Sequence, residues 1–490
     1  MSTRWSPAGV AIAAATAALA GCQLAPPTKP DAAVPASWRT PAVTERSLAD
    51  FPGTQIFRSD ELDALVQEAL AANAELAIAA QRVELARSQY GIQRSYVLPQ
   101  FGGTLGYERG RFPVGNVDEN RVSSSALLGL SLATWEIDLW GRVRAAAEGA
   151  RRDVLAAEET RQGARVSLVA QVATLYVRIL ELDLNLEISQ RTLATRHESL
   201  RLVTARYKGG VASKLEVQDA TTLVAGAEQT QAEFGRVLAR SENALSVLLG
   251  RNPGPIARSR KLEEFPVPAT LPAGLPSGLL LQRPDIRAAE QALAGADANV
   301  EAARLAFFPT ITLSGLLGFA SPALKDLFDS GRYAWQVGPA VGVPIFTAGR
   351  LQSNLEGTEA QRTILLEQYK QTVRAAFQDV DDALADFQGY TEERTALAKA
   401  VAANRERLRL SELRYKGGVS SYFEVLDASR QLFEAELRLT QVLGAQYASV
   451  IGLYRALGGG YELRAARTDL PATPMAPRRD GAPEWPPARP

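Results

Sequence analysis

An internal duplication constrains the fold of this 490-residue chain more than any other feature. Residues 206–213 read RYKGGVAS, and residues 414–421 read RYKGGVSS. The match continues in the same register, so that Asp219 corresponds to Asp427. Solenoid repeats have periods of about 20 to 50 residues, far shorter than this spacing. Each copy is therefore predicted to be a large structure of its own.

Each copy contains a long stretch without proline. No proline occurs between Pro113 and Pro253 or between Pro344 and Pro471, although the chain contains 27 prolines. Because proline breaks helices, these stretches are predicted to be helical. A helix over residues 142–207 would be about 100 Å long at 1.5 Å per residue.

A heptad pattern runs through both proline-free stretches. The apolar positions are Val172, Leu175, Ile179, Leu182, Leu186, Leu193, Leu200, Val203 and Tyr207 in the first copy, and Val373, Phe377, Val380, Leu384 and Phe387 in the second. Ser189 and Arg196 interrupt the first series. Alternating three- and four-residue steps are typical of coiled-coil packing.

Each duplicated Lys-Gly-Gly is predicted to end one helix and to begin a sharp turn. Glycine adopts the left-handed conformation of a helix C-terminus at little steric cost. Ser213 and Ser421 follow as N-caps, with Glu216 and Glu424 three residues later, which is the capping-box pattern. The return helices are predicted to end near residues 250 and 458. Each copy therefore holds a long antiparallel helical hairpin.

Two segments in each copy are predicted to be strands, because apolar residues alternate there with small or polar ones. The alternating apolar residues are Leu128, Leu130 and Leu132 in the first copy and Trp335, Val337, Val341, Val343 and Ile345 in the second. Their expected partners are residues 101–108 and 310–319. Residues 109–121, which are charged and contain glycine, are predicted to form an aqueous loop.

One apolar face and one small or polar face are typical of a membrane β-barrel, in which every backbone group is paired. A small soluble sandwich, or a sheet packed on the helices, is the alternative. Small closed barrels need about eight strands, so other chains must complete a barrel that starts from four. A homo-oligomer that pools strands and hairpins would explain why such long helices accompany so few strands.

The N-terminal residues are predicted to form an export signal. Arg4 supplies a positive charge, residues 8–20 are rich in alanine, and residues 19–22 read LAGC. These four residues resemble the lipobox of bacterial lipoproteins, which implies a diacylglycerol and an N-acyl chain on Cys22. The alternative is an ordinary signal peptide with a chance cysteine. Gln23 is consistent with sorting to the outer membrane, because the inner-membrane retention signal is usually aspartate.

The composition argues against several functional classes. Cys22 is the only cysteine in the sequence, so neither disulfides nor a thiolate metal site are expected in the mature chain. A net charge of zero argues against a nucleic-acid partner. His197 is the only histidine, which argues against a metal cluster or a catalytic triad. We therefore predict that the chain is not an enzyme and carries no cofactor besides the covalent lipid.

Together these features resemble the TolC-like outer membrane efflux proteins, in particular the lipoprotein branch often called NodT-like. The resemblance covers the mature chain from Cys22 to about residue 460. Its most specific match is LLLQRPDIRAAE at residues 279–290, followed by Phe-Phe-Pro at residues 307–309. It implies a mainly α fold with membrane β structure, in which a homotrimer forms a twelve-stranded β-barrel and an α-helical tunnel.

The resemblance also implies a division of the chain. The predicted parts are a signal peptide (1–21), a lipidated N-terminal linker or equatorial segment (22–58), the first efflux repeat (59–250), an inter-repeat linker or equatorial segment (251–278), the second repeat (279–460) and a Pro-rich tail (461–490). The tail is predicted to be disordered.

In this family the hairpin turns form a periplasmic tip that is closed at rest and meets an adaptor. The tip and gate candidates are Tyr207, Lys208, Glu216, Tyr415, Lys416, Glu424 and Asp427. Rings of three carboxylates would place like charges around a narrow pore and favour cations, although the lysines could offset that charge. Ser420 and Ser421 stand where the family often has a charged residue. Glu424 could face the lumen as a gate residue or only cap a helix.

The acidic residues Glu136 and Asp138, beside Trp135, are predicted either to line the lumen below the barrel or to be polar residues at a strand end. The predicted function is a passive outer membrane exit duct for drugs or other small solutes, working with a periplasmic membrane-fusion adaptor and an inner-membrane RND-type pump. The alternatives are type I protein secretion and a non-conducting periplasmic scaffold. Metal export is less favoured because methionine is scarce, with only two in the sequence.

Overall fold

A computed structural model describes residues 34–43, 47–48, 59–111, 122–268 and 270–459. The predicted signal peptide, Cys22, the Pro-rich tail and most of the predicted loop at 109–121 lie outside the described residues.

Both repeats have the same order of elements: a pair of shorter helices, two strands, a long helix and a return helix. The first repeat comprises α1 (Asp60–Ala72), α2 (Ala74–Ser95), β1 (Phe101–Arg111), β2 (Val122–Glu136), α3 (Arg142–Lys208) and α4 (Lys214–Leu248). The second comprises α5 (Leu279–Gln282), α6 (Pro284–Leu305), β3 (Thr310–Ser321), β4 (Tyr333–Gly342), α7 (Arg350–Lys416) and α8 (Tyr422–Ala456). The duplicated architecture predicted from the sequence is confirmed.

The long helices of the two repeats have equal lengths. Both α3 and α7 contain 67 residues, and both α4 and α8 contain 35. The ends of these helices also agree with the predicted ends to within a few residues. Among the described helices, α3 contains one window apolar enough to match a membrane span, but half of it is buried inside the protein. A core helix has the same property, so this window alone does not indicate a membrane crossing.

Glycine marks both ends of each long helix. Gly141 and Gly349 precede α3 and α7 with φ of 95° and 83°. Gly210 and Gly418 follow the C-termini with φ of 77° and 73°, the left-handed conformation that closes a helix. In both turns the amide of the next residue donates to a carbonyl of the last helical turn at 3.0 Å. The predicted glycine stop is confirmed in both copies.

The two return helices begin differently. Ser213 and Glu216 form the predicted capping box at the start of α4. Ser421 accepts no side-chain capping bond at the start of α8, so the same prediction is wrong for the second turn. Its glutamate, Glu424, instead lies 3.5 Å from the guanidinium of Arg414 across the turn.

Most of the predicted heptad positions are buried, including all five in α7. Tyr207 is the clearest exception, because it lies in the last turn of α3 and is 44% exposed. Ser189 and Arg196, which interrupt the pattern, are buried rather than turned to solvent. The packing stripe of α3 thus continues through polar side chains.

The main apolar core joins the middle of the long helices to the two segments outside the repeats. Trp38 packs against Phe377 with ring centroids 6.1 Å apart, and its indole N–H donates to the carbonyl of Gly274 at 2.8 Å. Backbone bridges join Val43 to Pro272 nearby. The N-terminal segment and the inter-repeat linker therefore pack together against the helices, and we call these two segments the collar.

The four strands form one antiparallel sheet in the order β1-β2-β3-β4. The predicted pairs within each repeat are confirmed, and β2 also pairs with β3, which joins the repeats. A bulge interrupts this central pairing between Leu132 and Trp135. Val343 and Ile345 were expected in β4 but lie beyond its end at Gly342. The intervening Pro344 has no amide to donate to a ladder.

One face of the sheet is mainly apolar, although the register also places Arg109, Ser124 and Ser321 on it. The exposed apolar side chains on this face are Phe101, Leu105, Tyr107, Leu130, Leu317, Phe319, Tyr333, Trp335, Val337 and Val341. The register places small and polar residues on the opposite face, where Thr104 and Ser131 share a hydrogen bond of 2.9 Å. An apolar outer face and a small or polar inner face are expected for the wall of a membrane barrel.

Candidate functional site

The two helical turns lie side by side and form one packed unit, here called the tip (residues 199–220 and 407–428). A small apolar cluster joins them across the repeats. Val203 and Ala220 from the first hairpin pack with Tyr415, Tyr422 and Val425 from the second. The sequence prediction that both turns share one end of the molecule agrees with this packing.

Tyr415 and Glu216 connect the two turns directly. The hydroxyl of Tyr415 donates to Oε2 of Glu216 at 2.9 Å, while Oε1 of Glu216 accepts from the amide of Ser213 at 3.3 Å. Glu216 therefore caps α4 and holds the opposite hairpin at the same time. We call the Tyr415–Glu216 pair the tip clasp.

The surroundings of Tyr415 keep its hydroxyl protonated. The side chain is 5% exposed, and the guanidinium of Arg206 lies 4.7 Å from its ring centroid. Burial, followed by the hydrogen bond to Glu216, raises the pKa of Tyr415 to about 12. Tyr415 is therefore a hydrogen-bond donor at neutral pH.

The equivalent residues of the two repeats have different contacts. Tyr207 is exposed whereas Tyr415 is buried. Arg206 stacks on a tyrosine ring, whereas its counterpart Arg414 pairs with Glu424. The duplicated sequence thus produces an asymmetric tip, in which one turn supplies the glutamate of the clasp and the other supplies the tyrosine.

Asp427 is held by neighbours on its own hairpin. Its carboxylate accepts from Arg407 at 2.6 Å, from Gln431 at 2.9 Å and from Arg430 at 3.1 Å. The bond from Arg407 is the largest of the causes that lower the pKa of Asp427. Of the two predicted lysines, Lys416 lies 3.7 Å from Glu412 and Lys208 is exposed.

Tyr422 belongs to the site but was not among the predicted residues. Its hydroxyl lies 3.0 Å from Oγ of Ser199 on α3, and its ring lies 5.3 Å from that of Tyr415. A difference between the two copies could have indicated it, because Ser213 is followed by Lys214 whereas Ser421 is followed by a tyrosine.

Apolar side chains project from the tip at matched positions of the two repeats. Val211 and Val419 follow the paired glycines, and Leu215 and Phe423 lie two residues after Ser213 and Ser421. All four are strongly exposed. Exposed apolar clusters of this kind are typical of surfaces that bind another protein.

At the other end of α3, the predicted acidic pair lies at the junction between strand and helix. Asp138 accepts from the amides of Gly141 at 3.0 Å and Arg144 at 2.9 Å. Glu136 pairs with Arg142 at 2.5 Å. Of the two interpretations offered by the sequence, these contacts match polar residues at a strand end, with Asp138 capping α3.

A sheet with one apolar face that continues into helices of about 100 Å, joined at a packed tip, defines a class of outer membrane channel with a β-barrel and an α-helical tunnel. The chain belongs to the outer membrane efflux protein family, whose family model matches residues 65–251 and 275–459.

Relatives of known name support this assignment. The chain is 36% identical over 470 residues to the probable efflux pump outer membrane protein TtgC of Pseudomonas putida, with 94% of this chain and 97% of the relative covered. It is 36% identical over 453 residues to the outer membrane protein OprJ of Pseudomonas aeruginosa, with 91% and 94% covered.

A solved structure of an outer membrane channel agrees with the two relatives. The open state of the MtrE outer membrane channel of Neisseria gonorrhoeae has a TM-score of 0.82 at 34% identity, covering 90% of this chain and 98% of that one. The predictions of family, fold class, efflux function and outer membrane location are confirmed. The protein is an outer membrane efflux channel whose helical part lies in the periplasm.

Proposed function

We propose that three copies of this chain form a passive exit duct for small solutes, which a periplasmic membrane-fusion adaptor and an inner-membrane RND-type pump open and supply. The observation that carries this proposal is the sheet. In the described part of the chain, β1 and β4 each pair with one strand and leave one edge open. They run in opposite directions, so β4 of one copy can pair antiparallel with β1 of the next.

Three copies of a four-stranded sheet give twelve strands, which exceeds the approximately eight needed to close a barrel. The helix that precedes β1, α2, supports a contact between neighbouring copies. Ile78, Leu85 and Ile92 recur every seven residues along α2 and are exposed in the single chain. A heptad stripe of this kind fits a neighbouring helix.

In this proposal the tip is both the gate and the adaptor-binding surface. Val211, Leu215, Val419 and Phe423 bind the adaptor through their exposed apolar side chains. The tip clasp keeps the two hairpins together at rest. Glu424 and the two lysines set the charge around the opening, whereas Asp427 stabilises the second hairpin through its arginine partners.

Cys22 carries the diacylglycerol and N-acyl chain in this proposal. About 0.8 kcal/mol is gained for each buried methylene of such chains, so several chains on one residue hold firmly to the outer membrane lipid. Two related proteins of Pseudomonas putida are named for toluene and antibiotic efflux, which supports small solutes of this kind as substrates in this proposal. Small apolar solutes are therefore the first substrates to test.

Conductance of the purified protein in planar lipid bilayers tests the duct. We expect a trimer by chemical cross-linking, low conductance at rest, and cation-favouring currents after opening. Co-expression with an RND-type pump and adaptor should raise the resistance of an efflux-deficient host to small toxic solutes. An intact trimer that carries no current, alone or with adaptors, and restores no resistance would contradict the proposal.

A further inference from the structure

The two hairpins of one chain meet along α3 and α8, and this part of α3 carries buried polar residues among its apolar ones. Its buried polar residues are Glu181, Asn185, Ser189 and Arg196. At one end of this part, a Cβ added to Gly444 of α8 would lie 2.5 Å from Oε2 of Glu181. At the other end, the guanidinium of Arg196 lies 4.8 Å from the ring centroid of Phe433. Buried polar groups need specific partners, so this seam depends on particular bonds as well as on packing.

A three-residue ion cluster lies on this seam. Glu436 of α8 has a side chain that is 9% exposed. It accepts from Arg191 of α3 at 2.9 Å and from Arg405 of α7 at 2.8 Å. The bond from Arg191 joins the two hairpins, whereas the bond from Arg405 lies within the second hairpin. One carboxylate therefore connects three helices through charge-assisted bonds, which are stronger than neutral ones.

Two cavities, of about 550 and 390 Å³, are lined by all three members of the cluster. The larger cavity extends under the collar to Phe265 and Tyr447. Both cavities are open to solvent on one side, and the side chains of Arg191 and Arg405 are more than half exposed, whereas Glu436 is buried between them.

We propose that Glu436 is a latch that holds the second hairpin against α3 in the resting channel, separately from the tip clasp. It lies 14 residues beyond the first residue of α8, about 20 Å from the turn at 1.5 Å per residue. Loss of the Arg191–Glu436 bond lets α7 and α8 move together away from α3. The Arg405–Glu436 bond lies within that hairpin and is kept during the movement. The inference rests on the proposed duct and assigns it a second point of control.

The test compares two bonds to the same carboxylate in the full-length trimer. Glu436→Gln and Arg191→Gln should each raise single-channel open probability about tenfold, equivalent to about 1.4 kcal/mol, and should sensitise cells to vancomycin, which is too large for a closed duct. Arg405→Gln should remain near the wild type. A second control is Glu393→Gln, which removes a bond of 3.1 Å to Arg438 within the same hairpin. Trimer content on native gels verifies assembly of every variant.

Two results would overturn the latch. In the first, assembled Glu436→Gln and Arg191→Gln trimers open no more often than the wild type. In the second, Arg405→Gln leaks as much as Arg191→Gln, which would mean that Glu436 only stabilises the second hairpin. A wild-type trimer that never conducts and restores no resistance would overturn the proposed duct and the latch with it.

Discussion

At the tip, Tyr415 offers a hydroxyl to Glu216 and an aromatic face to Arg206. Its counterpart Tyr207 has the same local sequence but projects towards solvent. The difference arises because the second tyrosine lies between the hairpins while the first lies outside them. Single residues therefore distinguish two repeats that share their local sequence.

We predict that Tyr415→Phe weakens the tip without disrupting the capping box of α4. A hydrogen bond to a charged group contributes about 1.5 to 3 kcal/mol when buried. Because Glu216 is only half-buried, we expect a loss of about 1 kcal/mol, or roughly a fivefold higher open probability in bilayers. Tyr207→Phe is the matched control and should behave as the wild type. Equal effects of the two substitutions would contradict the clasp.

At the scale of the elements, the sequence was sufficient for the helices because their signals are local. Proline-free stretches located α3 and α7, and the paired glycines Gly210 and Gly418 located their ends. The strand pairs within each repeat followed from alternation for the same reason. The candidate site was predicted at the duplicated turns from the resemblance to the efflux family.

Other features depend on contacts between distant parts of the chain, so local patterns could not reveal them. The β2–β3 pair joins strands from different repeats, and no turn sequence links them. Ser421 lacks the capping bond that Ser213 makes, and Arg414 pairs with Glu424. Arg206, in an identical local sequence, stacks on Tyr415 instead. Partner choice at the tip is thus set by packing between the hairpins.

The pairing of β2 with β3 also requires glycine at position 129, and this requirement can be tested. A Cβ added at Gly129 would lie 2.7 Å from the carbonyl oxygen of Leu317 on the next strand. Gly129→Ala must therefore displace backbone, at a cost of about 1 to 3 kcal/mol. We expect less inserted trimer, measured by heat-dependent gel mobility of outer membrane fractions. Gly103→Ala, where nothing lies within 4 Å, should assemble normally, and comparable losses in both would contradict this account.

At the scale of the whole molecule, the proposed barrel and the proposed lipid attach the same protein to one membrane. Each chain presents a broad apolar sheet face to the lipid. Burying apolar surface stabilises by about 25 cal/mol for each Å², so a barrel of three such sheets would be firmly embedded without any lipid chain. The lipid on Cys22 is then a secondary anchor.

We predict that Cys22→Ala, exported with a cleavable signal that does not direct lipidation, still yields an inserted trimer with substantial efflux activity. Membrane fractionation and resistance to small toxic solutes are the measurements. The matched control is the wild-type sequence behind its own signal. Recovery of the variant only as a soluble periplasmic protein would contradict the barrel and would make Cys22 the sole attachment.

The equal lengths of the duplicated helices, 67 residues in α3 and α7 and 35 in α4 and α8, restrict how this channel can evolve. Both turns must reach the same depth to pack against each other. A deletion of one heptad from both helices of a single hairpin would leave its turn about 10 Å short of the other. A change in the length of the channel across the periplasm therefore requires matched insertions or deletions in all four helices. The two repeats can change in length only together.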